Sequence, residues 1–549
     1  MVAYGQIYGG YAVNGHNTTA CFDALVSSEG SRALDGEASA QWGLDHFALV
    51  EAAGRACAHA FVRGCLPEQH TPLCVTLLAG SGNNAADALV MLRALILDGH
   101  AQSADCLVLT TRASDKLPGG RTALAEAMLS VQKLGVAVRH WSAANTTFDN
   151  TDVIIDGIAG TGLNGPLHGA ALEMAETVNA LRQRQNRPLI VSIDFPSGNF
   201  DLWRPGMAMI AADVTLAIEP HKLCLYTPAA RPNAGKILRV GGIFPHELIE
   251  KYRGADLVTW ETAAALIPEV SAAAYKYERG LVEIRAGSPG ATGAAMLAAL
   301  GAQAAGAGLV RLIVDPSLYP LLAPACTGIM VVPGGEVGET PEDNRFTPAA
   351  VLLGPGWGTG EDRSRLLETY LPQEQRGLPL VLDADAIALA KDIVFYGNTI
   401  LTPHPGEFAA YSGLAKDDVL ADPLPALRRI ASEKNAVLLF KSHVLYVASP
   451  DGRIGVIDGM NPALAAGGSG DVLAGLCAAI VGRLSDNCVH DRLHDRNGHK
   501  LWLSACAAAS LLVQAGKAVA DRFADPAELA DAAADIAGAA WLPMAGGER

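Results

Sequence analysis

Short, continuously apolar runs that break off at glycine, aspartate or lysine recur along this chain. Leu73–Ala79 leads into Gly80-Ser81-Gly82-Asn83-Asn84, Val153–Asp156 into Gly160-Thr161-Gly162, and Pro188–Asp194 into Phe195-Pro196-Ser197-Gly198. The second half repeats the device. Ile284–Ala286 runs into Gly287-Ser288, Val351–Leu353 into Gly354-Pro355-Gly356, and Pro379–Leu382 into Asp383-Ala384-Asp385. Thr399–Leu401 then leads into Thr402-Pro403-His404-Pro405-Gly406-Glu407, and Val437–Phe440 into Lys441. Strands apolar on both faces belong to parallel sheets covered by helices on each side, so the expected class is α/β. Ligands of such sheets bind beyond the carboxyl ends of the strands, where all of these loops fall.

A chain of 549 residues exceeds a single hydrophobic core. We expect two domains, at residues 30–250 and 256–545, with a joint in the Gly- and Pro-bearing segment from Gly242 to Gly254. Residues 1 to about 30 are left unplaced. A helical pattern of small and apolar residues extends from Asp35 to Val62. The net charge of −16 speaks against nucleic acid and anionic membrane as partners, leaving a small-molecule substrate and a homo-oligomer as the expected associations. None of the ten cysteines forms a C-x-x-C pair, and no secretory signal is visible, so a reduced, cytoplasmic protein is expected. The uncharged stretch Ala286 to Val310 is interrupted by Ser288-Pro289-Gly290 and reads as a buried helix after a glycine loop, not as a membrane span.

Chemistry concentrates at Ala466-Gly467-Gly468-Ser469-Gly470-Asp471, which runs directly into the apolar helix Val472–Ile480. Glycines at a helix start let backbone N–H groups converge on an anion, and the helix dipole favours negative charge there. Asp471 at the mouth of that nest is placed to take a proton from an alcohol attacking phosphorus; a plain helix cap is the alternative. Lys441 ends a strand where a cation meets a phosphate chain, and His404 sits between two prolines that fix its loop. Gly354-Pro355-Gly356-Trp357-Gly358 fails the dinucleotide fingerprint in spacing and in carrying proline.

In this order the motifs of the second half resemble the ADP/ATP-dependent NAD(P)H-hydrate dehydratases. That resemblance implies a ribokinase-like αβα domain. The family phosphorylates the 6-hydroxyl of hydrated NADH or NADPH and then eliminates it. Ala294, Gly356 and His404 would line the hydrate pocket, Lys441, Gly468, Ser469 and Gly470 would hold ADP or ATP with Mg2+, and Asp471 would be the base. Lys441-Ser442 replaces the family's Lys-Gly, and Tyr275 stands where the family has histidine.

Gly80–Ala88, Asp156–Gly162 and Asp194–Gly198 are similar to the NAD(P)H-hydrate epimerase family, which implies a Rossmann-like αβα domain in the first half. There Asn84, Asp156 and Ser197 would ligate K+. Asn83, Asn84, Asp87, Gly160 and Gly162 would hold the hydrate, and Asp194 would be the acid/base group for R/S epimerisation. Ala85, Ala86 and Ala88 replace family glycines, a substitution costing about 1 kcal/mol wherever a positive φ is required. A small-molecule (vitamin-precursor) kinase and a non-catalytic N-terminal binding domain are the alternative readings.

Overall fold

The strand Leu73–Ala79 is buried along most of its length and is an interior strand of a seven-stranded sheet. Its neighbours are Ala101–Thr110 and Ala137–His140 on one side, and Val153–Gly157, Leu189–Ile193, Val214–Ile218 and Lys236–Val240 on the other. Every pairing is parallel, in the sequential order 3-2-1-4-5-6-7. The order reverses between Leu73–Ala79 and Val153–Gly157, and a crevice opens beyond their carboxyl ends. These features come from a computed structural model that describes residues 22–112, 122–267, 269–334, 347–484 and 498–542.

The second sheet repeats that order in its parallel part. Met330–Pro333, Leu309–Val314, Leu281–Arg285, Ala350–Leu353, Leu380–Leu382, Thr399–Leu401 and Val437–Phe440 lie side by side. Two antiparallel strands follow, Val444–Ala448 and Ile454–Asp458. Ala255–Leu257, Asp23–Val26 and the two-residue strand His221–Lys222 then extend the edge to twelve strands. The unplaced N-terminal stretch thus enters the second sheet through Asp23–Val26, with residues 1–21 outside the described set.

Both halves are α/β with parallel sheets, as expected. The pattern from Asp35 to Val62, by contrast, is two helices, Ser28–Gln41 and His46–Cys65. Gly43 breaks it by adopting φ +65°, a backbone that side chains disfavour, and Asp45 caps the second helix by accepting from Phe47 N at 2.8 Å. The uncharged stretch after Ala286 forms the helix Thr292–Ala304, whose alanines other than Ala294 are buried, followed by the strand Leu309–Val314. Among the described residues one helix, His499–Ala518, is long and apolar enough to cross a membrane; 83% of its apolar stretch is buried inside the second domain. The eight described cysteines are free thiols, and Cys21 and Cys488 lie outside the described residues.

Candidate active sites

In the second domain the Asp471 helix, Ser469–Arg483, is buried continuously from Val472 onward. It crosses Thr292–Ala304 backbone to backbone: a Cβ on Gly475 would meet Ala298 O at 2.0 Å, and one on Gly301 would meet Val472 O at 2.3 Å. Gly468 precedes the helix with φ +106°, so the turn presents its N–H groups without a side chain in the way. Asp471 stands in the first helical turn. Burial and the nearby Asp383 carboxylate push its pKa up to about 6, with Lys441 pulling the other way. Lys441 pairs with Asp383 Oδ1, which also accepts from Thr402 Oγ1 at 2.6 Å. A Cβ on Gly470 would come within 3.4 Å of Lys441 Nζ, so the lysine lies against the glycine nest.

Gly356, at φ +56°, backs onto Ala294: a Cβ there would meet the Ala294 methyl at 3.1 Å. Together they shape the reversal point of the second sheet, between Leu281–Arg285 and Ala350–Leu353. His404 accepts from Gly406 N and Glu407 N at 3.0 and 3.2 Å through Nδ1 and so caps the helix Pro405–Ser412. Its Nε2 lies 3.4 Å from Oε1 of Glu407, the residue that closes the same cap. The backbone bond from Lys441 N to Pro403 O, 2.8 Å, ties the histidine loop to the lysine. Asp383, the hub of this cluster, was given no role from sequence, although it lies in a motif that was singled out. Tyr275 is exposed on the surface.

In the first domain the reversal point opens into a cavity of about 710 Å³ lined by Asn83, Asn84, Gly160 and Gly162, with Arg32 and Arg112 on its walls. A smaller adjoining recess of about 80 Å³ takes in Asn83, Asn84, Asp87, Gly160 and Asp194. Asp194 sits at φ +64°, left-handed backbone that few residues except Gly, Asn and Asp tolerate. Its carboxylate accepts from Lys222 Nζ at 2.7 Å. Burial raises the pKa of Asp194 and Lys222 lowers it; burial raises Asp87 further, with Asp194 adding to the effect.

Asp156 is fully buried and accepts from Ser192 Oγ, Ser197 N, Ser197 Oγ and Ile158 N, at 2.7, 2.8, 2.5 and 3.2 Å. Ser197 Oγ and Asn84 Nδ2 both reach Ala159 O, at 3.2 and 2.9 Å. The three residues expected at a cation are thus gathered around one loop and offer only hard oxygens, a donor set suited to an alkali or alkaline-earth ion.

The alanines at the glycine positions do not carry the cost expected of them. Ala85, Ala86 and Ala88 lie within the helix Asn83–Leu97, have no positive φ, and are fully buried away from both cavities. Space is supplied from the other side, where Gly157 faces Ala88 and a Cβ would come to 2.7 Å. Lys222, Asp35 and His46 also face the recess and escaped the sequence reading. Lys222 lies four residues beyond the apolar strand Val214–Ile218, so the signal that marked Lys441 was weaker for it.

Two αβα domains, one with a glycine-lined helix start beside a half-buried carboxylate, the other with a carboxylate-lined crevice at a sheet reversal, define a fused two-centre enzyme of nucleotide chemistry. The NAD(P)H-hydrate dehydratase family model matches residues 282–537, and that of the YjeF-related protein N-terminus matches residues 46–224. The bifunctional NAD(P)H-hydrate repair enzyme of Moorella thermoacetica is 31% identical over 482 residues, covering 84% of this chain and 88% of that protein. The enzyme of the same name from Gloeobacter violaceus is 33% identical over 453 residues, covering 79% and 84%. The chain belongs to the bifunctional NAD(P)H-hydrate repair enzymes. An ADP/ATP-dependent NAD(P)H-hydrate dehydratase from Bacillus subtilis, crystallised with ATP/Mg2+, is 26% identical, with 51% of this chain and 97% of that one aligned at a TM-score of 0.45.

Proposed function

We propose that this chain repairs hydrated nicotinamide dinucleotides at two centres, the first interconverting R and S epimers and the second dehydrating the S epimer with ADP or ATP. The observation that carries it is the pairing of a half-buried carboxylate at a glycine nest with a second, carboxylate-lined crevice in one chain. At the second centre Asp471 takes the proton of the 6-hydroxyl as its oxygen attacks the terminal phosphorus. Lys441, Gly468, Ser469 and Gly470 hold the phosphates, whose charge the ammonium and the helix N-terminus offset. The new phosphate ester then leaves as inorganic phosphate. Its C6–O bond breaks, a proton departs from C5, and the dihydropyridine is restored. Ala294, Gly356 and His404 line the hydrate.

Among the described residues no cluster of three or more His, Cys, Asp or Glu is poised for a metal. That suits Mg2+ held chiefly by nucleotide phosphates. At the first centre Asn83, Asn84, Asp87, Gly160 and Gly162 hold the hydrate, and Asp194 moves the proton. Asn84, Asp156 and Ser197 hold K+, which would supply positive charge beside the dinucleotide phosphates.

Incubation with a racemic hydrate mixture and ATP or ADP tests both parts through the near-ultraviolet absorbance of the dihydropyridine. Complete conversion with release of free phosphate is expected, and Asp471→Asn abolishes it. Conversion that stops with the R epimer unconsumed removes the epimerase. A stable phosphorylated product in place of free phosphate makes the second domain a small-molecule kinase.

A further inference from the structure

Lys222 is 3% exposed and belongs to the first domain by sequence, yet its strand does not pair within that domain's sheet. His221–Lys222 runs parallel to Asp23–Val26, with Val26 opposite Lys222. Asp23–Val26 pairs in turn with Ala255–Leu257, and that strand with Ile454–Asp458 of the second sheet. From this outer edge the side chain reaches back into the first domain's recess. Nζ donates to Asp194 Oδ1 at 2.7 Å and to Ile218 O at 3.1 Å.

The surroundings explain why a cation is needed there. Asp35 comes from Ser28–Gln41, Asp87 from Asn83–Leu97, and Glu219 from the loop before Lys222; all three line the recess with Asp194. Glu219 is already engaged by the backbone N–H groups of Ile243 and Phe244. His46, opening His46–Cys65, stands at the rim, 3.1 Å through Nε2 from Asn83 Oδ1. Cys57 of the same helix and Cys224 beyond the lysine are buried close by as neutral thiols, since burial pushes both upward. Several carboxyls crowded into one small recess cannot all ionise without a counter-charge. Lys222 is the recess's buried ammonium, and its direct bond goes to Asp194.

We propose that Lys222 is the positioning residue of the epimerase centre: its ammonium fixes the Asp194 carboxylate in orientation and keeps it as the proton acceptor among the neighbouring acids. This rests on reading Asp194 as the acid/base group. Asp87, which burial and the Asp194 charge push well up, is then the neighbour that stays protonated. The strand pairing has a consequence for the fusion, because the side chain that completes the first centre is mounted on the second domain's sheet.

The test uses the full chain with Lys222→Met and Lys222→Arg, following R-epimer conversion across pH and expressing it per unit of S-epimer dehydration by the same sample. Lys222→Met is expected to lower conversion by about 100-fold or more, on the scale of a lost general-base function. It is also expected to move the acidic limb of the profile to higher pH, because the acceptor without its cation holds its proton longer. Lys222→Arg is expected to restore the wild-type limb and most of the rate. A Lys222→Met enzyme that loses rate equally at every pH, or keeps the wild-type rate, overturns the proposal. Should Lys222→Met not fold, Lys222→Gln carries the same two outcomes. A wild-type chain that leaves the R epimer untouched instead removes the epimerase reading on which this stands.

Discussion

Asp471 is half-buried and Asp194 buried, and their neighbours perturb the two carboxyls differently. Asp471 is raised from the usual 3.8 to about 6 by burial and by Asp383, whose own charge is anchored by Lys441 and Thr402. A base poised near 6 is ionised at neutral pH yet takes a proton readily. Dehydration of the S epimer should therefore fall about tenfold per pH unit below about 6 in a kcat/KM profile. The same shift makes a stability prediction. Between 3.8 and about 6 the folded chain holds a proton that the unfolded chain has released, so stability falls as pH rises through that window. Asp471→Asn should remove that slope and raise stability at neutral pH by about 1–2 kcal/mol in urea unfolding without ligand, a discounted figure because the group is part-exposed. A variant less stable than wild type at neutral pH would contradict it. At this scale the loop motifs singled out Asn84, Asp156 and Ser197, and these three lie around the Ile158-Ala159 turn, whereas Asp383 sat in such a motif and was passed over. Lys222, Asp35 and His46 were not legible, since each comes from a separate element and meets the site only through folding.

Elements were legible in proportion to how completely they are buried. Leu73–Ala79, Thr399–Leu401 and Val437–Phe440 match their apolar runs end for end. Ala101–Thr110 opens with the polar Gln102, Ser103 and Asp105, so its apolar run is only Cys106–Leu109, and Ala137–His140 is mostly exposed at the sheet edge and carries none. The crossing of Ser469–Arg483 over Thr292–Ala304 rests on glycines that no periodicity reveals. Gly475→Ala tests it. Alanine gains about 1 kcal/mol of helix propensity over glycine, but its Cβ would lie 2.0 Å from the Ala298 carbonyl oxygen, a backbone atom that cannot swing aside. The clash should win, with a net loss of about 1–3 kcal/mol, as overpacking of a tight core does. Because this helix carries Asp471, dehydration of the S epimer should drop as well, and a stabilised, fully active variant would refute the account.

At the scale of the molecule, the two domains are joined by more than a linker. Asp23–Val26 and His221–Lys222 lie in the second domain's sheet although six of the seven strands of the first sheet occupy the chain between them. Neither was legible as part of that sheet, because strands of four and two residues carry no pattern of their own. Side chains lock the same seam. Arg231, 4% exposed, grips Asp458 through two bonds of 2.9 and 2.8 Å, and Tyr446 of the second domain donates its hydroxyl to Tyr226 O of the first. Breaking a buried ion pair by removing one partner leaves the other charge uncompensated and costs about 3–5 kcal/mol, whereas replacing both partners by apolar groups is often close to neutral. Asp458 keeps partial contact with solvent, so Arg231→Met should cost about 2–3 kcal/mol, below that range. Arg231→Met combined with Asp458→Leu should recover most of the loss in equilibrium urea unfolding. If the double variant is as unstable as the single one, the seam depends on the shape of the arginine and not on balancing its charge. Recovery would place the energetics of the seam in the neutralisation of Asp458, at the end of the strand from which the chain runs on to the Asp471 loop.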